Sequence, residues 1–113
     1  MKNYLIRYNT GEFKLSRGDS FASDIIEGLA IVRVYLESDK DKPSGEYSII
    51  DTFSGLFILR HKSKKKLIEK WNERVECQIL ESITNARKRD KYKERVIELQ
   101  NEIAIWRKSG YEF

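Results

Sequence analysis

Apolar positions along this chain follow two spacings: alternating or continuous up to residue 60, then threes and fours from Ser63 onward. Residues 3–8, NYLIRY, have the β-branched and aromatic content of a strand. Asn9, Thr10 and Gly11 supply a turn, because glycine takes positive φ without steric cost. Residues 12–16, EFKLS, alternate polar and apolar and are expected to pair back as a hairpin. Residues 17–20, RGDS, read as a loop in which Asp19 or Ser20 caps a short helix over FASDIIEG, with Gly28 as its stop. Residues 29–36, LAIVRVYL, form a nearly continuous apolar run, which fits a central strand covered on both faces; Arg33 is its one charge. Residues 37–46, with the only proline, read as an exposed loop. Residues 46–51 and 56–60 are two further strands, joined by the turn TFSG.

The helical stripe begins with Ile68, Trp71 and Val75 and continues through Ile79, Ile83 and Ala86. A second stripe runs Tyr92, Val96, Leu99, Ile103, Trp106. One straight helix over 63–108 would be about 68 Å long at ~1.5 Å per residue, too long for a compact domain of this size. A break near Asn85, giving two helices or one kinked helix packed on the sheet, is therefore expected; the alternative is a coiled coil between chains through the second stripe. The order β-β-α-β-β-β-α-α predicts a single α+β domain over residues 1–113, mainly strands with a short helix in 1–60 and helical over 63–108. Its antiparallel sheet would have about five strands, with a short helix and two C-terminal helices.

Composition narrows the chemistry. Charged residues make up 35% of the chain, above the roughly 25% usual in globular proteins. The balance is uneven: residues 1–60 hold 8 Lys/Arg against 9 Asp/Glu, residues 61–113 hold 14 against 9. A basic C-terminal half points to an anionic partner. Cys77 is the only cysteine and His61 the only histidine. An internal disulfide is excluded, a zinc site lacks ligands, and a Cys–His nucleophilic pair would have to use these two residues. Cys77 is expected as a semi-buried helix residue and His61 as a loop residue. Glu12-Phe13-Lys14 has the Glu-x-Lys spacing of metal-dependent nucleases, but no acidic residue precedes it. The glycines stand singly, so no phosphate-cradling fingerprint exists. No catalytic residue, metal or cofactor is expected. With no sustained apolar run at the N-terminus, no membrane association is expected either, and the compartment is cytoplasmic.

Two basic clusters remain. The first is Arg60, Lys62, Lys64, Lys65 and Lys66, where a strand gives way to a helix; the second is Arg87, Lys88, Arg89, Lys91, Lys93 and Arg95 around Tyr92, of which the first four are the candidate contacts. Lysines at a helix start sit against the positive end of the helix dipole, where acids are the comfortable choice. A bound phosphate would relieve that repulsion, because lysines and free N–H groups aim positive charge at one place. The alternative is that flexible lysines simply swing into water. In the second cluster Asp90 and Glu94 offset part of the charge, and Tyr92 reads as core rather than as a base-stacking platform.

The stretch DTFSGLFILRHKSKKKLIE, residues 51–69, resembles a pattern in small phage and mobile-element proteins of low-GC bacteria. There a strand ends in D-x-x-T/S-G, a second strand follows, and a helix opens with T/S-K-K; Ser54-Gly55 and Ser63-Lys64-Lys65 match. The resemblance implies a hairpin–helix unit. The overall profile is similar to that of phage-encoded inhibitors, including anti-CRISPR proteins: short, charged, α+β, without catalytic equipment. What it implies is a non-enzymatic protein that blocks a host nucleic-acid machine, with a CRISPR effector or its guide RNA as partner; contact with nucleic acid, direct or through that partner, is read from the basic clusters and not from the resemblance. A small DNA- or RNA-binding accessory protein, or a structural protein dimerising through a coiled coil, are the other readings; a monomer is the expected state.

Overall fold

The computed structural model describes residues 1–36 and 42–113. Five antiparallel strands run in sequence order: β1 Lys2–Arg7, β2 Phe13–Ser20, β3 Leu29–Tyr35, β4 Pro43–Asp51 and β5 Phe57–His61. Helices follow: α1 Lys64–Arg74, a π-helical segment Val75–Ile79, α2 Leu80–Arg87 and α3 Asp90–Lys108. The fold is α+β, as the spacing of apolar residues predicts. The sheet curls, so that the Arg7 N–H of edge strand β1 donates to the Gly55 carbonyl in the β4–β5 turn at 2.9 Å.

Alternation along the strands gives the sheet two apolar faces. On one, Leu29, Ile31 and Ile49 meet Leu67, Trp71, Val75, Ile79 and Ile83 from the helices, with Ile26 closing the margin. On the other, Ile6, Ala30, Val32 and Ile50 pack together, with Tyr4 and Phe57 at the edge. β3 contributes to both, which is why its sequence is almost unbroken in apolar residues.

Three expectations need correction. Residues 17–20 are not a loop but the end of β2, with Gly18, Asp19 and Ser20 paired to Val32, Ile31 and Ala30. Residues 21–28 form no helix. The Ser23 hydroxyl does accept the N–H groups of Ile25 and Ile26, both at 3.2 Å, as a helix cap would. However, Phe21 N–H is drawn to the Leu29 carbonyl at 2.9 Å, leaving too few residues to repay helix nucleation. The loop expected over 37–46 is shorter, because β4 already starts at Pro43; residues 37–41 lie outside the described residues.

The long helix bends where it must. Its buried stripe is Leu67, Trp71, Val75, Ile79 and Ile83, beginning one residue earlier than the sequence suggests and spaced strictly by four. Each step of four overshoots a 3.6-residue turn by about 40°, so this stripe would wind roughly 160° around an ideal α-helix. The π segment takes up part of that excess: the Leu80 N–H reaches back five residues to the Val75 carbonyl, a wider turn. The chain breaks at Lys88–Arg89, three residues after the expected point, with Arg89 extended at ψ 144°. The result measures 40 Å in its longest dimension, which no unbroken rod of 46 residues would allow. α3 turns Leu99 inward, 2% exposed, with Tyr92, Val96, Ile103 and Trp106 half-buried around it. The second stripe thus packs within its own chain.

Candidate functional site

The D-x-x-S-G sequence after β4 builds a turn that explains its own residues. Asp51 Oδ1 accepts the N–H of Phe53 at 2.9 Å and of Ser54 at 3.3 Å. Gly55 has φ 78°, and a Cβ there would stand 2.8 Å from the Leu5 carbonyl oxygen. Asp51 is 4% exposed, and its other contacts reach across the molecule. Arg87 Nε donates to Oδ2 at 3.1 Å from the end of α2, and the Tyr92 hydroxyl donates at 2.9 Å from the start of α3. Burial, then the Asp51 charge, pushes the Tyr92 phenol well above its ordinary pKa. Arg87 also donates to the Glu27 carbonyl at 2.8 Å and lies over the Phe53 ring. This cluster clamps the turn, the connection and both helices; its cation already has its anion.

Arg7 is a second clamp on the same turn. It is 7% exposed and donates to the Ser54 carbonyl at 3.2 Å, the Arg95 carbonyl at 2.9 Å and Glu98 Oε2 at 2.8 Å. It thereby ties α3 to β1.

The open part of the sheet lies at the other end. Directly opposed residues share a face. Arg33 opposes Tyr47, and Tyr47 opposes His61, so the three form one row across β3, β4 and β5. Arg17, beside Gly18 in β2, extends the row. α1 covers the apolar rows below it; in this row Arg17 and Arg33 are exposed, Tyr47 is half-buried against the core and His61 is half-buried, with Lys64 at the margin. A depression of about 460 Å³ results, lined by Arg17, Arg33, Tyr35, Tyr47, Ile31 and Lys64 among others. Its one acid is Asp19, whose carboxylate stands 3.9 Å from Lys64 Nζ. Arg33 lies 5.9 Å from the Tyr47 ring centre, and the neighbouring Tyr47 side chain holds its pKa above the ordinary arginine value.

The first basic cluster borders this depression. Ser63 caps α1, its hydroxyl accepting the Lys66 N–H at 3.3 Å, and His61 Nδ1 accepts the Ser63 N–H at 2.9 Å. Lys62, Lys64, Lys65 and Lys66 are all exposed, and no acid stands in the first turn of α1. Arg60 departs from its neighbours: it pairs with Glu46 at 3.2 Å and lies over Phe57. The second cluster does not act as one. Arg87 is held by Asp51, whereas Lys88, Arg89 and Lys91 are exposed at the helix break. Arg17 and Arg33 are the residues that the two clusters omit. A charge inside an apolar strand was the signal for Arg33; nothing local marks Arg17, because its neighbours read as a loop.

Cys77 is exposed rather than semi-buried, its thiol directed at the Glu73 and Arg74 carbonyls of its own helix, and His61 ends β5 rather than lying in a loop. Among the described residues no three His, Cys, Asp or Glu side chains gather as metal ligands would, and no helix is long and apolar enough to cross a membrane. Comparison with protein-family models, with curated proteins and with solved structures finds no match.

Proposed function

We propose that this chain is a non-enzymatic binding protein that takes hold of a phosphate backbone, and that it serves a phage or mobile element by blocking a host nucleic-acid machine. A CRISPR effector carrying its guide RNA is the partner that the overall profile favours. The observation that carries the reading is the row Arg17–Arg33–Tyr47, its two arginines exposed and its tyrosine half-buried, joined at its margin by Lys64, with Lys65 and Lys66 following on the same helix start. Arginine guanidinium groups suit phosphate oxygens by geometry as well as charge, and tyrosine adds a flat face on which a base or sugar can rest. Lysines at an N-terminus without acids, unfavourable for the free helix, become favourable when a phosphate arrives.

The test is a salt-titrated binding assay with a fluorescent single-stranded RNA and, separately, with a guide-loaded effector whose target cleavage is followed. Arg17→Glu/Arg33→Glu and the triple change Lys64→Glu/Lys65→Glu/Lys66→Glu should each weaken binding. The salt dependence should become shallower by about 0.7 for each phosphate no longer neutralised. The triple variant should be as stable as the wild type or slightly more so, because it removes repulsion with the α1 dipole. A triple change at Lys88, Arg89 and Lys91 should do less. A wild type that neither binds RNA nor slows the effector would remove the proposal. RNA binding without inhibition would leave an accessory nucleic-acid-binding protein.

A further inference from the structure

α3 has two faces, and only one is used within the chain. At about 100° per residue, Asp90, Ile97, Asn101 and Lys108 lie within roughly 20° of the direction opposite the buried Leu99, Glu94 and Ala104 at about 40°, and Ile105 and Lys93 at about 60° on either side. All eight are exposed; Ile97 and Ile105 are 58% and 59% exposed, far more than isoleucines in a packed helix. Phe53, 42% exposed, flanks Ile97 across a shallow apolar hollow that Lys93 borders. Neither Glu94 nor Lys108 has an ion-pair partner among the described residues.

The order of these residues along the face is the second observation. Five of them, Glu94, Ile97, Asn101, Ile105 and Lys108, read acid, isoleucine, asparagine, isoleucine, base. Ile97 and Ile105 stand four residues on either side of Asn101, and Glu94 and Lys108 stand seven on either side. Reversed, these five match themselves: each Ile97 meets an Ile105, each Glu94 meets a Lys108, and Asn101 meets Asn101, while Ala104 meets Glu98 and Lys93 meets Ser109. Laid parallel, Glu94 would face Glu94 and Lys108 would face Lys108. Self-complementarity under a two-fold rotation is what an interface between identical subunits requires. A central polar residue in such a seam fixes register. Antiparallel helices also set opposite dipole ends together.

We infer that the outer face of α3 docks a second copy of this chain, the two helices lying antiparallel about a two-fold axis at Asn101. This face is distinct from the Tyr92–Trp106 stripe, and the inference does not rest on the proposed function. With two isoleucines, Ala104 and a flanking Phe53 from each copy, the apolar area fits a reversible dimer rather than an obligate one.

Sedimentation of the full chain over a wide concentration range tests this, with circular dichroism confirming that each variant folds. The wild type should dimerise reversibly, and Ile97→Asp should remain monomeric. Glu94→Lys alone and Lys108→Glu alone should each raise the dissociation constant by roughly five- to thirty-fold, because symmetry applies each change twice. The double variant Glu94→Lys/Lys108→Glu should return to the wild-type value. In a Cys77→Ser background, Asn101→Cys should give a disulfide-linked dimer on mild oxidation. A wild type monomeric at every concentration would overturn the inference, as would a dimer indifferent to the single charge changes or not restored by the double one.

Discussion

Removing the Asp51 carboxylate should cost this protein more than its single-residue size implies. The group accepts from two backbone N–H groups of its own turn, from Arg87 and from Tyr92, and it is buried. Hydrogen bonds to a charged group contribute ~1.5–3 kcal/mol each, but contacts sharing one acceptor do not add. Breaking a fully buried ion pair costs about 3–5 kcal/mol. The Arg87 side chain is 21% exposed, so water recovers part of that loss. Asp51→Ala should therefore destabilise by about 3 kcal/mol, lowering the melting temperature by roughly 12 °C for a chain of this size. Asp51→Asn should cost about half as much, because its amide oxygen still serves the turn while its NH2 group opposes the Arg87 donor. Urea unfolding followed by the fluorescence of buried Trp71 measures both. Arg87→Ala provides the internal check: it should destabilise the wild type clearly and the Asp51→Ala background hardly at all, a coupling of at least ~1 kcal/mol. An Asp51→Ala variant within about 1 kcal/mol of wild type, or additive costs for the two changes, would show that the clamp does not hold the helices to the sheet.

Three further outcomes follow from the same geometry. The Tyr92 pKa is raised above its ordinary 10, so its contribution is fully present below pH 10 and is lost as pH rises beyond it; Tyr92→Phe should flatten the decline of melting temperature with alkali. Gly55→Ala combines a left-handed backbone with a close approach to the Leu5 carbonyl, and should destabilise by more than ~1 kcal/mol, read from urea unfolding. Arg7→Ala should loosen α3 from β1, so that amide exchange over residues 95–108 quickens more than exchange in β3, read by mass spectrometry.

Local pattern carried the architecture as far as local forces decide it. The β3 run, the TFSG turn and the change of spacing at Ser63 place the strands and the helical region within a few residues. RGDS has the composition of a loop, yet the free edge of β3 supplies a ladder that residues 17–20 complete, and pairing overrides composition. FASDIIEG has a cap and a stop, but the strands on either side leave too little chain between them for a stable helix. Asp51 looks like a turn residue from its neighbours. Its partners Arg87 and Tyr92 lie 36 and 41 residues further on, and nothing near Asp51 announces them. The same distance hid the basic depression, whose arginines come from strands and whose lysine comes from a helix. Lys62 to Lys66 were legible because they are contiguous; Arg17 and Arg33 become their neighbours only when the sheet forms.

The π segment has a consequence for chain length. Loss of one residue from an ordinary α-helix swings everything beyond it by about 100°. Between Val75 and Ile79 the effect would be different. Without Gln78, for example, the buried stripe would fall at intervals of four, four, three and four, which a regular α-helix keeps on one side. The deletion would close the wide turn and leave Ile83, and beyond it Arg87, facing much as before. This stretch is thus where the helix can shorten by one residue while its far end stays docked, and where homologous chains of unequal length would differ.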